Sequence, residues 1–399
     1  MTRYVIVGQG VAGATAAEKI RTLDQEGPLA VFSNEPEAFY YRPRLPEVIS
    51  GQAGLKQITI HPQAWYDRNR IDLRLGETVT AIDPEARQVV TDRGGRHDYD
   101  ALLLATGAHA FIPPVPGREK RSVLALRSHA DALKIAARAR EVKAAVLVGG
   151  GLLGLEAGAG LARLGLQVQV VEFFDRLLPR QMDRTGAAKL RRLLEAQGFL
   201  FYLGAKAREI VGGAEAEGLA LEDGQTLPGG LILFSAGIRP NLDLAAAIGL
   251  EIEKGVKVDD AMKTSRAGIW AAGDLIEHRG RSYGIWPASK EQGEVAGTVM
   301  AGGEAAYKGT VLSNSLKVVG VDLTSAGDID AEGKLESVVY EDEKSYRKIV
   351  LDQGRLAGFI FFGLTRGVKE CQAALAQGLD VRPFQTALRE RDFDFSKLT

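Results

Sequence analysis

A short apolar strand, a glycine loop and a helix of small residues occur twice in this chain, and the repetition narrows the folds open to it. The first copy begins with the β-branched run Tyr4–Val7 and continues as Gly8-Gln9-Gly10-Val11-Ala12-Gly13. A small-residue helix is expected over 14–23, then an apolar strand over 29–32 that ends at Ser33-Asn34-Glu35. The second copy runs from Ala144–Val148 into Gly149-Gly150-Gly151-Leu152-Leu153-Gly154-Leu155-Glu156. A helix to Leu164 and a strand over 167–171 ending in Glu172 come next. Strand, G-x-G-x-x-G, helix, strand is the order of a dinucleotide-binding unit. Gly8 permits the tight turn, Gly10 lets the backbone approach a pyrophosphate at the helix N-terminus, and Gly13 allows close helix–strand packing. Glu35 or Asn34 is placed to bond an adenosine ribose, although Ser33 stands where an acid would directly end the strand. Glu172 ends the second unit's strand, where a carboxylate accepts from free ribose hydroxyls and repels a 2′-phosphate, favouring NADH over NADPH. Arg176, four residues on, would soften that preference.

The 399 residues predict two or three domains. Lys plus Arg total 50 against 51 Asp plus Glu, so no basic footprint points to nucleic acid. The most apolar stretch, 144–171, is interrupted by Glu156, Arg163 and Gln167, and no segment reads as a membrane helix. One cysteine, Cys371, cannot form an internal disulfide. With an N-terminus that enters a strand at once, this predicts a cytoplasmic protein. Cys371 lies in an expected helix over 368–377 and reads as an inert thiol. The five histidines, His61, His97, His109, His129 and His278, show no metal-ligand spacing, so no metal site is expected.

Three further strands are expected: 99–105 ending in Ala105-Thr106-Gly107, 231–234 ending in Ser235-Ala236-Gly237 and followed by Arg239-Pro240-Asn241, and Gly268-Ile269-Trp270-Ala271-Ala272-Gly273-Asp274 with an acid at its C-terminal end. Ligands in open α/β sheets sit at such strand ends, and Asp274 is placed to accept from a sugar-alcohol hydroxyl. The bland alternative for Asp274 is a turn or cap carboxylate. Downstream, Tyr283-Gly284-Ile285-Trp286-Pro287 opens a helix that reaches Met300. Its N-terminus would offer N–H groups and a positive dipole to the N1–O2 edge of a reduced flavin.

This motif set, in this order and over nearly the whole chain, resembles the pyridine nucleotide–disulfide oxidoreductase superfamily. The resemblance implies an α/β fold with two Rossmann-like dinucleotide-binding domains, one inserted in the other, plus a C-terminal α+β domain. Residues 1–112 and 241–307 would form the FAD domain, 113–240 the NADH domain, and 308–399 the C-terminal domain. The implied FAD set is Gly8, Gly10, Val11, Ala12, Gly13, Asn34, Glu35, Arg42, Val79, Ala105, Thr106, Gly107, Asp274 and Ile285. The implied NADH set is Gly149, Gly151, Leu152, Leu153, Gly154, Glu172 and Gly237. The superfamily's reactive cysteines have no counterpart in the loop 37–51, where Pro43 takes that place. Disulfide reduction and cysteine-based peroxide chemistry are therefore not expected. The loop resembles that of NADH:rubredoxin oxidoreductases, with nitrite reductase flavodomains next, and 316–322 is similar to the same group. Ferredoxin reductases share Tyr-x-Arg-Pro-x-Leu but usually carry Lys where Glu47 stands.

The resemblance thus implies an FAD-dependent NADH oxidoreductase, monomeric or homodimeric. It would pass electrons to an external one-electron carrier, rubredoxin being the favoured acceptor. Glu156 would lie near the nicotinamide–flavin contact. Arg42 would lie by the flavin or its phosphates, and Lys317 would approach from the C-terminal domain. Competing readings are an NADH oxidase reducing oxygen directly, a redox-responsive interaction protein, and the flavin module of a larger complex.

Overall fold

The computed structural model describes residues 1–318 and 320–398, with 314–318 described by backbone alone. They form two compact units. The first comprises Met1–Arg42, Leu55–His109 and Ile238–Thr310. The second comprises Pro43–Gly54, Ala110–Gly237 and Val311–Thr399.

The first unit is built on a five-stranded parallel sheet, in the order Ile269–Ala271, Ala101–Leu104, Tyr4–Val7, Leu29–Ser33, Ile71–Leu75. Tyr4–Val7 is central and fully buried, which is why it reads as an uninterrupted apolar run and not as an alternating one. Alternate residues still divide between two cores. Tyr4 and Ile6 join Val31, Leu103 and Ala16 on one face, while Val5 and Val7 join Phe32, Leu102 and Leu104 on the other. The helix Val11–Leu23 covers the first face and lies against the helix Trp286–Met300. Small residues allow the approach: a Cβ on Gly293 would lie 2.4 Å from the Ala12 carbonyl oxygen, and one on Gly297 2.6 Å from that of Ala16. The first helix starts at Val11, not at Ala14 as its composition suggests. Gly13 is a weak helix former, but here it is needed inside the helix for close packing.

The second unit repeats the plan with a parallel sheet in the order Leu200–Leu203, Gln167–Glu172, Ala144–Val148, Leu231–Phe234, Val123–Ala125. The helix Leu152–Arg163 comes directly after its glycine loop, and the segment Pro43–Gly54 belongs to this unit. Gly160 of that helix faces Pro46, whose carbonyl oxygen would sit 2.9 Å from an added Cβ. The same unit contains a five-stranded antiparallel sheet, in the order Ser313–Val318, Val321–Gly327, Arg355–Phe362, Tyr346–Asp352, Glu336–Glu341. The helix Val368–Gln377 packs on it through Cys371 and Ala374, in a core with Ile349, Phe359, Phe361 and Phe395. Among the described residues, no helix is long and apolar enough to cross a membrane.

Candidate active site

In the first unit the glycine loop is locked between two strand ends. Gly8 has φ +110°, and a Cβ there would lie 2.1 Å from the Ala105 carbonyl oxygen. Its N–H donates to the Phe32 carbonyl at 2.9 Å. A Cβ on Gly13 would meet the Gly8 carbonyl oxygen at 1.9 Å. Gly10 differs from both. It caps the helix with an ordinary extended backbone, φ −70° and ψ −174°, and no side chain caps that end. A Cβ on Gly10 would meet nothing within 4 Å. Nothing inside the protein requires glycine there. Val11 and Ala12 supply the first turn, and no acidic residue competes for its N–H groups.

Other strand ends converge on this loop. Ala105-Thr106-Gly107 extends from Ala101–Leu104, and Thr106 exchanges two bonds with Asn241. Thr106 Oγ1 donates to the Asn241 carbonyl at 3.1 Å, and Asn241 Nδ2 donates to the Thr106 carbonyl at 2.8 Å. Asn241 Oδ1 also lies 2.8 Å from His109 Nδ1. The Gly273-Asp274 turn comes after Ile269–Ala271 and packs on Ala12, 3.1 Å from a Cβ built on Gly273. Two side chains of the Trp286–Met300 helix hold this turn. Buried Gln292 accepts from the Gly273 N–H at 2.9 Å, and Ser289 Oγ donates to Asp274 Oδ1 at 3.5 Å. Neither is legible as a site residue, because isolated polar residues in a helix give no pattern in the sequence. Ile285 caps the same helix in an extended conformation without a side-chain cap. At that end Trp286 stacks on Phe39 at 5.7 Å and meets the edge of Tyr41 at 4.7 Å, an aromatic group the sequence does not announce.

Glu35 and Arg42 act as a pair. Glu35 Oε1 accepts from Arg42 Nη2 at 2.5 Å, and Oε2 accepts from the Tyr40 hydroxyl at 2.5 Å. Burial opposes the Arg42 charge, but Glu35, Tyr40 and Asp274 more than offset it and raise its pKa. Asn34 is exposed beside the pair, and Val79 is buried at the start of its strand.

The second unit repeats the loop geometry. Gly149 has φ +113°, with the Ser235 carbonyl oxygen 2.4 Å from an added Cβ. A Cβ on Gly154 would lie 2.7 Å from the Gly149 carbonyl oxygen. Gly151, like Gly10, is an uncapped, extended helix start with nothing within 4 Å of an added Cβ. Leu152 and Leu153 form the first turn, and Gly237, at φ +97°, lies beyond the neighbouring strand end. Glu172 is buried, and both of its oxygens accept backbone N–H groups: Oε2 from Gly150 at 2.7 Å and Oε1 from Phe174 at 2.9 Å. It therefore shapes the glycine loop as well as marking the strand end. Glu156 is half-buried on the helix of this unit. The catalytic candidates are thus divided, with Arg42 in the first unit and Glu156 in the second. Lys317 falls on the strand Ser313–Val318, and its side chain lies outside the described residues.

Two parallel sheets, each with a glycine loop open where a phosphate would approach, define a protein of the two-dinucleotide oxidoreductase class. Residues 2–293 match the family described as Pyridine nucleotide-disulphide oxidoreductase, and residues 313–379 match the Rubredoxin NAD+ reductase C-terminal domain. The chain belongs to the pyridine nucleotide-disulphide oxidoreductase family, whose oxidoreductases use FAD and NADH. It is 39% identical over 365 residues to the nitrite reductase [NAD(P)H] of Bacillus subtilis, covering 90% of this chain and 45% of that protein. It is 30% identical over 349 residues to the NADH-rubredoxin oxidoreductase of Clostridium acetobutylicum, covering 88% and 87% respectively. The crystal structure of the Clostridium NADH:rubredoxin oxidoreductase superposes with a TM-score of 0.82 at 28% identity, covering 96% of each chain. The chain spans half or less of the length of the nitrite and nitrate reductase relatives it matches. With its single cysteine, this sequence contains no dithiol pair.

Proposed function

We propose that this chain oxidises NADH with FAD and delivers the electrons to a small carrier protein of the rubredoxin kind. The observation that carries the reading is the pair of open glycine positions, Gly10 and Gly151, in two otherwise tightly closed loops. Tight closure fixes the loop, and the opening leaves room for a pyrophosphate against backbone N–H groups. In this reading 1–112 with 241–307 holds FAD and 113–240 holds NADH; these bounds differ from the two compact units, where Pro43–Gly54 and 110–112 fall in the second unit and 238–240 in the first. The segment 308–399 is the C-terminal domain.

Gly8, Gly10, Val11, Ala12 and Gly13 receive the FAD pyrophosphate. Glu35, with Asn34 beside it, accepts from the adenosine ribose, and Arg42 orients Glu35 while balancing the phosphate charge. Asp274 accepts from a ribityl hydroxyl, kept in place by Ser289 and Gln292. Ala105, Thr106 and Gly107 line the flavin side, and Val79 meets the adenine. The helix start at Ile285 offers N–H groups to the flavin's carbonyl edge. Gly149, Gly151, Leu152, Leu153 and Gly154 receive the NADH pyrophosphate, Glu172 its ribose, and Gly237 gives the nicotinamide end room. Glu156 positions the nicotinamide, and Lys317 assists from the C-terminal domain. FAD held there would supply the chemistry that couples two-electron hydride transfer from NADH to one-electron release. With no dithiol in this sequence, the acceptor lies outside the chain. The match of 313–379 to a rubredoxin reductase domain supports rubredoxin.

The span of the chain favours a second reading. It covers 45% of the Bacillus nitrite reductase and 50% of an assimilatory nitrate reductase electron transfer subunit, so it would serve as the NADH-oxidising part of a nitrogen-oxyanion reductase system. Direct reduction of oxygen is a third acceptor choice, since a relative is named NADH oxidase. The test is NADH bleaching by the FAD-loaded protein with rubredoxin, ferredoxin, oxygen and ferricyanide supplied in turn. Turnover with rubredoxin well above that with oxygen supports the proposal. Strong turnover with ferricyanide and none with rubredoxin refutes the favoured acceptor.

A further inference from the structure

We infer that the C-terminal turn carrying Glu332 sets the preference for NADH over NADPH by withholding Arg176 from the nucleotide. The inference rests on placing the pyridine nucleotide on the second unit. An arginine shortly after the strand-end acid is the usual partner of a 2′-phosphate in this kind of site, because its guanidinium matches phosphate oxygens bidentately. Arg176 stands in that sequence position, but its charge is already used. Its Nη2 donates to Glu332 Oε1 at 2.9 Å, its Nη1 lies 3.3 Å from Asp175 Oδ1, and its side chain is only 12% exposed. Asp175 is in turn paired with Arg184 at 2.5 Å.

Glu332 does not reach Arg176 by chance of a loose loop. Its turn is pinned by Asp330, whose carboxylate accepts from the N–H groups of Lys334 at 2.7 Å and Leu335 at 3.0 Å. The Asp330 carbonyl accepts from buried Lys348 Nζ at 2.8 Å. The far end of the nucleotide loop is tied to the same sheet. Asp183 accepts from the Tyr346 hydroxyl at 2.6 Å, and Lys348 Nζ lies 3.5 Å from the same carboxylate. Another cation at this loop, Lys206, lies over Phe173 at 5.6 Å and pairs with Glu222 at 3.6 Å. A 2′-phosphate arriving here meets buried Glu172 and a neutralised arginine, so it is repelled without compensation. Glu332 is thus a positioning residue that acts through Arg176.

The test is Glu332→Gln, at a side chain that is 56% exposed, so that the fold is expected to be kept. Affinities of 2′,5′-ADP and 5′-AMP are measured by calorimetry on the FAD-loaded protein, beside kcat and KM for NADPH and NADH. In the variant, 2′,5′-ADP is expected to bind about tenfold more tightly, the worth of one charge-assisted hydrogen bond. 5′-AMP binding and NADH kinetics should stay unchanged, and KM for NADPH should fall with kcat constant. Adding Arg176→Ala should cancel the gain, which a purely structural tether would not predict. No gain in Glu332→Gln, or a gain that persists in the double variant, overturns the inference while leaving the nucleotide site in place. Failure of the unmodified protein to bind NADH or 5′-AMP overturns the placement of the nucleotide, and the inference with it.

Discussion

Replacing Gly10 by alanine separates what the fold needs from what the ligand needs. At φ −70° and ψ −174° any residue is comfortable, and the new Cβ would meet nothing within 4 Å. The apo protein should therefore keep its stability to within about 0.5 kcal/mol, as for a surface substitution. The methyl group instead occupies the space through which a pyrophosphate approaches the backbone. Losing two charge-assisted N–H contacts at about 1.5–2 kcal/mol each weakens binding by a few hundredfold. Gly13→Ala is the contrasting control, because its Cβ would lie 1.9 Å from the Gly8 carbonyl oxygen. That backbone clash must part helix from strand and should cost about 1–3 kcal/mol or more. Urea unfolding of the apo forms reports the first quantity, and quenching of flavin fluorescence on titration with FAD reports the second. Gly10→Ala that binds FAD as tightly as the unmodified protein would refute the reasoning. So would an apo destabilisation as large as that of Gly13→Ala.

Gly151→Ala should raise the Kd for NADH with FAD binding unchanged, measured by calorimetry on the FAD-loaded protein, because Gly151 is open in the same way as Gly10. The Cys371 thiol is fully buried and pushed up to about 12 by that burial, so it should resist thiol reagents until the protein is unfolded, and Cys371→Ala should keep NADH-dependent turnover. Gly293→Ala places a methyl 2.4 Å from the Ala12 carbonyl oxygen and should lower both the urea midpoint and FAD occupancy, by about 1–3 kcal/mol in stability. The Arg3 side chain and N–H hold the Asp100 carboxyl at about 2, below its usual 3.8. Because the folded value is depressed, that contribution is present above about pH 4 and is lost as pH falls towards about 2. Asp100→Asn should flatten that acid limb in a urea titration.

Much of this arrangement is legible in the sequence because close backbone contacts leave an unambiguous sign. Gly8, Gly13, Gly149 and Gly154 each stand where an added Cβ would strike a carbonyl oxygen, so no other residue serves as well. The buried central strands are equally plain, since a parallel sheet covered on both faces needs unbroken apolar runs such as Tyr4–Val7. Partnerships formed by single polar side chains are not legible. Gln292 bonds Gly273, 19 positions away, and Glu332 bonds Arg176 from 156 positions away. Neither distance has a period or a motif. The packing of Pro46 against Gly160 is hidden for the same reason, because it depends on tertiary approach alone. Glu172 shows a mixture: its place at a strand end is visible, but its use as an acceptor for Gly150 and Phe174 is not.

The sheet of the first unit has a consequence for the order in which the chain is made. Its outer strand, Ile269–Ala271, pairs with Ala101–Leu104, and the whole second glycine loop and its sheet are synthesised between the two. Until that late strand emerges, Leu102 and its neighbours present an apolar edge with open N–H and C=O groups. The Asp274 turn and the Gln292 side chain arrive later still, so the turn at Gly273 can be completed only after residue 292 has been made. Slow, non-local closure of this kind leaves a partly folded species exposed to aggregation. Substitutions that weaken the pairing of Ile269 with Leu102 should therefore reduce soluble yield more than they reduce the stability of molecules that have already folded.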